Sequence, residues 1–293
     1  MTRLSIPPSW HRLLAKLERG TLLVLGATGT GKTRLARYLV GQLDRPLDRV
    51  GLVDADVGQS SIGVPTCLGL ALTGPWTAPA DLWFAGDVSL RGNLLPTVVG
   101  AAELGRRARQ EGAQAVVVDP GGMVDGPVGR IFQVNLAQAV QADQIIAIER
   151  EGELGPLLWA LEAPGRRIHR LAPVPEARDR GTEERRRHRE RRFEAHFRGA
   201  KVRRFGPAHL MTGAFQRAPL EDLSQGVVLG LIDATGSCLG LGVVHEIHED
   251  HVAVLTPVRS VDQVHRLQVG DVTLDPSLWP TLEEIEEVED EDR

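Results

Sequence analysis

Short runs of apolar residues recur along the first 171 residues and alternate with segments whose apolar positions repeat at helical spacing. Unbroken apolar runs are typical of strands that are covered on both faces of a parallel sheet. The predicted strands are 21–25, 50–53, 81–84, 115–118, 144–148 and 167–171. The predicted helices are a short lead-in within 1–20, then about 33–43, 95–111, 129–141 and 154–161. This order predicts an α/β fold with a parallel sheet flanked by helices and ligands at the carboxyl ends of the strands.

The pattern changes after residue 180. Residues 178–198 are crowded with arginine and predict a charged helix, and β-like runs follow. Those runs are 227–232, 239–247 and 252–255. We therefore expect a first domain over 1–200, which includes the arginine-rich helix as a lid, and a small β-rich domain over 201–280. Residues 281–293 are mostly acidic and are expected to be disordered.

Composition excludes several classes of protein. Of the 293 residues, 42% are hydrophobic and 25% are charged, which is ordinary for a globular protein. Two cysteines give no disulfide framework, and they indicate a reducing compartment such as the cytoplasm. No apolar run of about 20 residues predicts a membrane span, and the N-terminus does not resemble a signal peptide. The net charge of −5 argues against a wholly basic nucleic-acid-binding chain.

The segment Gly26–Thr33 spells G-x-x-x-x-G-K-T between a predicted strand and a predicted helix. This is the phosphate-binding loop of nucleoside triphosphatases, in which glycines let backbone N–H groups surround phosphate oxygens. Lys32 can reach the β- and γ-phosphates, and the Thr33 hydroxyl can ligate Mg²⁺. The predicted nucleotide-binding residues are Gly26, Thr28, Gly29, Thr30, Gly31, Lys32 and Thr33, with Arg185 from the arginine-rich helix.

Two carboxylates, Asp54 and Asp56, follow the second predicted strand in the sequence Asp-Ala-Asp-Val-Gly-Gln. Beside a phosphate loop, one can hold Mg²⁺ and the other can accept a hydroxyl proton and aim the oxygen at the γ-phosphorus. The alternative is that Asp54 caps a turn and Asp56 is a surface carboxylate. Asp119 ends the next apolar strand and could ligate Mg²⁺ through water, unless it only forms a turn before Pro120.

The arginine-rich helix places Arg185, Arg189 and Arg192 on one face, at positions i, i+4 and i+7. Guanidinium groups bind phosphate bidentately, so this face could close over a triphosphate and stabilise charge on the transferred phosphoryl group. The alternative is a solvated helix whose arginines pair with the glutamates of the same helix.

Together these residues resemble the polynucleotide 5′-hydroxyl kinase family, which includes the RNA kinase associated with eukaryotic pre-mRNA cleavage and its archaeal relatives. The similarity lies in Gly26–Thr33, in Asp54 to Gln59, in the loop from Asp119 to Gly126 and in the arginine helix ending at Phe197-Arg198-Gly199. It covers about residues 21–275. Only 20 residues precede the first predicted strand, so the chain resembles a minimal microbial form.

The resemblance implies a role for each part of the site. Lys32 and Thr33 would bind the phosphates of ATP (or another NTP) and Mg²⁺, and Asp56 would be the base or a metal-side carboxylate. Asp54 and Gln59 would support Asp56, and Arg189 and Arg192 would clamp the phosphates. Family members often carry Thr-x-Gly-Trp after the third strand, whereas this chain has Pro-Gly-Gly-Met. Gly122 and Met123 would contact substrate there, with a thioether in place of aromatic stacking.

The expected activity is transfer of the γ-phosphate of ATP to the 5′-hydroxyl of RNA or DNA, by a cytoplasmic enzyme without a membrane partner. The expected catalytic residues are Lys32, Asp56, Arg189 and Arg192. Substrate contacts are expected from Asp54, Gln59, Gly122 and Met123, and metal contacts from Thr33, Asp56 and Asp119. The alternatives are a small-molecule P-loop kinase and a non-catalytic ATP-binding scaffold in RNA processing.

Overall fold

The computed structural model describes residues 6–73, 79–174, 181–212, 216 and 218–275. Within these residues the chain folds around two β-sheets. The acidic tail predicted for 281–293 lies outside the described residues, as do positions 178–180 of the predicted arginine-rich helix.

The first sheet contains seven described strands. In chain order they are β1 (Gly20–Gly26), β2 (Val50–Ala55), β3 (Cys67–Leu72), β4 (Asp81–Phe84), β5 (Ala115–Pro120), β6 (Gln144–Ile148) and β7 (Arg167–Leu171). Their spatial order is β4-β3-β2-β5-β1-β6-β7. The pairs β2–β5, β5–β1, β1–β6 and β6–β7 are all parallel, which confirms the predicted parallel sheet.

One edge of this sheet differs from the prediction. The sequence pattern predicts no strand between 59 and 80, whereas Cys67–Leu72 forms β3 and pairs antiparallel with both β2 and β4. The glycine and proline residues around this run hide it from a pattern search. Because β4 is antiparallel to β3, it runs in the direction of β2, and its carboxyl end lies at the same edge of the sheet. The loop that follows β4 is thereby brought to the edge where ligands bind.

Helices cover both faces of the first sheet. The helices α1 (Pro8–Leu14) and α2 (Lys32–Leu43) pack on one face, and α3 (Leu94–Gln110), α4 (Gly126–Ala139) and α5 (Gly155–Ala160) pack on the other. Successive strand residues point to opposite faces, so Leu22 belongs to one apolar cluster and Leu23 to the other. This double cover is the physical reason why the strands consist of unbroken apolar runs.

The second sheet is β-rich and lies C-terminal, as predicted. Its strands are β8 (Lys201–Phe205), β9 (Leu210–Met211), β10 (Val227–Ile232), β11 (Cys238–Ile247), β12 (Val252–Thr256) and β13 (Arg266–Thr273). The spatial order is β8-β12-β11-β10-β13-β9, and every pair is antiparallel except β13–β9. The division into domains at residue 200 stays a prediction.

The arginine-rich helix α6 (Thr182–Phe197) connects the two sheets. Its residues Phe193 and Phe197 are buried in an apolar cluster that contains Phe84 of the first sheet and Leu241 of the second. The C-terminal half of α6 is therefore part of the core between the sheets. Among the described helices, none combines the length and the apolar character that crossing a bilayer requires.

Candidate active site

The phosphate loop lies between the end of β1 and the start of α2. Gly29 and Gly31 have φ angles of 73° and 95°, in the left-handed region that favours glycine. Helix α2 begins at Lys32, directly after Gly31, so its N-terminal N–H groups face the loop. The predicted strand–loop–helix context of the motif is thus present, and it provides backbone donors for an anion.

Contacts within the loop hold it in shape. The Thr30 hydroxyl donates to the Ala27 carbonyl oxygen at 2.8 Å, and Lys32 Nζ donates to the same oxygen at 3.1 Å. A second loop, after β5, braces the first: a methyl group on Gly122 would lie 2.5 Å from the backbone nitrogen of Thr28. Glycine at 122 is therefore required for close packing of the two loops, and a substrate contact from Gly122 stays a prediction.

Asp119 occupies the centre of the site. The register of β2 and β5 pairs it with Asp54, and its side chain is buried. Burial and the nearby charge of Asp54 raise the pKa of Asp119 to about 7, although Lys32 and a hydrogen bond from Thr33 oppose the rise. The negative charge of Asp56 also raises the pKa of Asp119. Residues from the phosphate loop and from the end of β2 therefore surround one carboxyl group.

A divalent cation fits the residues around Asp119. Within the described residues, the buried Asp119 Oδ1 atom has no hydrogen-bond partner, which is costly unless something else binds it. The hydroxyl of Thr33 lies beside the carboxyl group, and hydroxyl and carboxylate oxygens suit Mg²⁺. The predicted metal ligands Thr33 and Asp119 are thus together, and Asp56 lies close enough to influence the same carboxyl group.

Asp54 has the turn-capping role that the sequence left as an alternative. Its Oδ1 atom accepts from the Asp56 N–H at 3.2 Å. Its Oδ2 atom accepts from the Ser61 N–H at 2.5 Å, from the Ser61 hydroxyl at 2.8 Å and from the Ile62 N–H at 3.0 Å. Burial, followed by repulsion from Asp56, raises the pKa of Asp54 to about 6. A direct substrate contact stays a prediction, but both carboxylate oxygens already have partners.

The segment 56–63, which we call the acceptor loop, begins at Asp56. Asp56 Oδ1 accepts from the N–H groups of Gly58 at 3.2 Å and Gln59 at 3.0 Å. Its other oxygen, Oδ2, faces Gly121, where a methyl group would lie 3.6 Å away. Gln59 has a buried Oε1 atom without a partner among the described residues. The predicted substrate contacts of Asp56 and Gln59 stay predictions.

Helix α6 docks on the acceptor loop through a face that includes Arg185, His188 and Arg192. Gln59 Nε2 hydrogen-bonds to the Arg185 carbonyl oxygen at 3.3 Å, and the Arg192 guanidinium donates to the Gly63 carbonyl oxygen. Burial lowers the pKa of Arg192, while the charge of Asp54 opposes the fall. Arg192 is thus engaged in holding the helix, and its predicted phosphate contact stays a prediction.

Three further arginines of α6 lie in two different environments. Arg186 pairs with Glu183 and Glu190, and Arg187 pairs with Glu183, so these side chains form the solvated face. Arg189 is half-buried and lies towards the face that carries Arg185 and Arg192. Within the described residues its guanidinium has no hydrogen-bond or ion-pair partner, so it remains available for an anion.

Sequence reasoning missed Thr66. Its φ of 73° is rare for a β-branched residue, and its N–H donates to the Val57 carbonyl oxygen at 3.1 Å. Its own carbonyl accepts from the Ala85 N–H at 2.8 Å. Thr66 thereby joins the acceptor loop to the loop after β4, whose Leu90 packs against Gly121. A threonine carries no sequence signal for this conformation, which only the fold reveals.

Met123 lies in the loop that braces the phosphate loop. It is half-buried, and its carbonyl oxygen accepts from Gln133 Nε2 at 2.9 Å. The loop is therefore held by α4, which contains Gln133. The backbone position of Met123 follows from this contact, whereas the predicted contact of its side chain with a base is untested.

Comparison with known proteins shows relatives over most of the chain. The polyribonucleotide 5′-hydroxyl-kinase of Pyrococcus horikoshii is 25% identical, over 86% of this chain and 85% of that protein. The enzyme of the same name from Thermococcus kodakarensis is 28% identical, over 86% of this chain and 87% of that protein. The solved structure of the wild-type Clp1p–Pcf11p complex has the same fold, with a TM-score of 0.69 at 14% identity over 90% of this chain and 77% of that chain.

A family model also matches residues 26–199, which include the phosphate loop, the acceptor loop, Asp119 and helix α6. That match covers more than half of the chain and confirms the resemblance that the motifs indicated. The protein belongs to the family described as mRNA cleavage and polyadenylation factor CLP1 P-loop.

Proposed function

We propose that this protein transfers the γ-phosphoryl group of ATP to the 5′-hydroxyl of RNA. One observation carries the proposal. Lys32 and Thr33 of the phosphate loop and Asp56 of the acceptor loop all lie close enough to Asp119 to change the pKa of its carboxyl group. A phosphate donor and an alcohol acceptor held by these groups would be neighbours. The names of the archaeal relatives support RNA as the acceptor.

The phosphate loop would hold the triphosphate. Its backbone N–H groups and the N-terminus of α2 would surround the β-phosphate, and Lys32 would place its ammonium group against the β- and γ-phosphates. Lys32 now donates to the Ala27 carbonyl, so its side chain is already directed into the loop. This preorganisation lowers the cost of binding the nucleotide charge.

Thr33 and Asp119 would hold Mg²⁺. When bound, the ion neutralises charge that develops on the phosphate oxygens. Asp119 would bind in its ionised form, and the cation would compensate for the burial that now raises its pKa.

The acceptor loop would present the 5′-hydroxyl. Asp56 Oδ2 lies beside Gly121, and it would accept the hydroxyl proton while the oxygen attacks the γ-phosphorus. Arg189 would bind the transferred phosphoryl group from the side of α6, because its half-buried guanidinium has no protein partner among the residues that the structure describes. In-line positioning of donor and acceptor would supply most of the rate.

The test is transfer of labelled γ-phosphate to matched oligonucleotides. RNA and DNA of one sequence, each with a 5′-hydroxyl or a 5′-phosphate, would be offered together with a free nucleoside. We expect label on 5′-hydroxyl RNA and none on 5′-phosphate RNA, and the DNA arm measures selectivity for the sugar. Preferential labelling of the nucleoside would favour a small-molecule kinase, and ATP binding without transfer to any acceptor would favour a scaffold.

A further inference from the structure

The side chain of Asp54 serves the acceptor loop rather than the substrate. Four groups of that loop donate to it, from Asp56, from the backbone and hydroxyl of Ser61, and from Ile62. The carboxylate is buried, and both of its oxygens are engaged. A buried carboxylate with this many donors fixes the conformation of the segment that surrounds it.

The loop residues between these donors form the platform for helix α6. Gln59 contacts the Arg185 carbonyl, His188 Nε2 lies 3.3 Å from the Ser60 carbonyl oxygen, and Arg192 donates to the Gly63 carbonyl. The three helix positions share one face, since they are spaced at i, i+3 and i+7. Every described hydrogen bond between this face and the loop therefore depends on the shape that Asp54 imposes.

The two halves of α6 have different contacts, although Arg192, which bonds to the acceptor loop, belongs to the C-terminal half. The C-terminal half is fixed by Phe193 and Phe197 in the core, and by His196 Nε2, which accepts from the Leu241 N–H at 3.0 Å. The N-terminal half is exposed apart from the face that meets the acceptor loop. The position of Arg189, which lies in that half, is consequently set by the loop.

We propose that Asp54 is a positioning residue that holds the N-terminal half of α6, and with it Arg189, over the nucleotide site. The proposal rests on the proposed function, since it assigns Arg189 to the transferred phosphate. It replaces the substrate contact predicted for Asp54 by an action through the acceptor loop.

The experiment combines kinetics with hydrogen–deuterium exchange on the full chain. In Asp54→Asn the single amide oxygen cannot accept both from the Asp56 N–H and from Ser61 and Ile62 on the other side, so we expect amides 185–192 to exchange at least about tenfold faster. We also expect kcat to fall by about 10- to 100-fold, as for a misplaced catalytic group, with KM for ATP changed less than about threefold. Ser61→Ala removes one of the four donors and should lower kcat by about two- to fivefold.

Two comparisons distinguish this role from simple loss of folding or of activity. Lys32→Ala should lose activity and leave the exchange of α6 unchanged. In a double-mutant cycle, Asp54→Asn combined with Arg189→Ala should be no slower than the slower single variant, because both act on the same contact. If Asp54→Asn loses activity while α6 exchange is unchanged, or if the two losses multiply, Asp54 acts directly and the proposal is wrong.

Failure of the proposed function and failure of the positioning role can be told apart. If the wild-type protein transfers phosphate to no 5′-hydroxyl, the proposed function fails, and the exchange arm still decides whether Asp54 holds α6. If Asp54→Asn does not fold, Ser61→Ala carries the same test at a smaller amplitude, and unchanged α6 exchange in that variant would overturn the positioning role.

Discussion

The phosphate loop and the acceptor loop lie on neighbouring strands but are built in different ways. The phosphate loop is closed by its own residues, through the contacts of Thr30 and Lys32 with Ala27. The acceptor loop is shaped by the nearby Asp54, and it also contacts residues of helix α6 that lie 126 to 129 positions away in the chain. The contacts that close the nucleotide half of the site are therefore local, whereas the acceptor half combines a local anchor, Asp54, with contacts from a distant helix.

The largest expected effect tests the nucleotide half of the site, which the phosphate loop forms. Lys32→Ala removes the charge that the loop directs at the phosphates, and we expect transfer to fall by roughly 10³-fold, with weaker ATP binding. The measurement is labelling of 5′-hydroxyl RNA together with ATP titration. Lys16→Ala, an exposed lysine before the amino end of β1, is the matched control and should behave as the wild type.

The next effect tests the acceptor half. Asp56→Asn keeps the size of the side chain but removes its capacity to accept a hydroxyl proton, so we expect kcat to fall by about 10²-fold or more. ATP binding should change little, because the phosphate loop is unaltered. Asp44→Asn, at the exposed end of α2, controls for loss of a carboxylate. Equal loss of ATP binding and of transfer in Asp56→Asn would mean that the two halves are not separate.

A smaller effect is expected when arginines from two parts of the surface of helix α6 are compared. Arg189→Ala removes a guanidinium without a partner among the described residues, and we expect kcat to fall by about 10- to 100-fold. Arg186→Ala removes an arginine that pairs with Glu183 and Glu190 on the solvated face, and it should change kcat by less than about twofold. A steady-state comparison of the two variants would contradict this assignment if Arg186→Ala were the slower enzyme.

The last expected effect concerns stability rather than activity, and it tests the C-terminal end of α6 through its pH dependence. Burial lowers the pKa of His196 to about 4, below the value of about 6.5 for an exposed histidine. The unfolded chain then binds more protons between these values, so the free energy of unfolding falls as pH decreases from about 6.5 to 4, by up to about 3 kcal/mol from this group. His196→Gln can still accept from Leu241 but does not titrate.

Urea unfolding of both proteins at about pH 7 and about pH 4.5 measures this contribution as a difference of differences. The wild type should lose more stability on acidification than His196→Gln. Other groups, including the buried carboxyl groups of Asp54 and Asp119, titrate in both proteins and cancel in the comparison. An equal loss in the two proteins would show that His196 is not held neutral between α6 and the second sheet.

Much of the fold could be predicted from the sequence because its signals are local. The apolar runs of β1, β2, β5 and β6 and the glycines of the phosphate loop each occupy fewer than ten consecutive residues. Strand β3 was missed because it belongs to an antiparallel edge, and glycine interrupts its apolar run. Its identification needs the partner strands, which a pattern search does not see.

The candidate site likewise has features that the sequence predicts and features that it does not. The grouping of Lys32 and Thr33 near Asp119 follows from the motif and from the direction of parallel strands. The docking of Arg192 on the Gly63 carbonyl and the left-handed Thr66 could not be predicted, since each depends on a backbone group that has no sequence signature. Asp54 shows the same limit: its position was expected, but its partners depend on the path of the acceptor loop.

A structure of the protein with a non-hydrolysable ATP analogue, Mg²⁺ and a short 5′-hydroxyl RNA tests the central claim most directly. The account predicts that the 5′ oxygen lies within hydrogen-bond distance of Asp56 Oδ2, about 3 Å, and in line with the γ-phosphorus held by Lys32. A 5′ oxygen bound out of hydrogen-bond reach of Asp56 would contradict this mechanism.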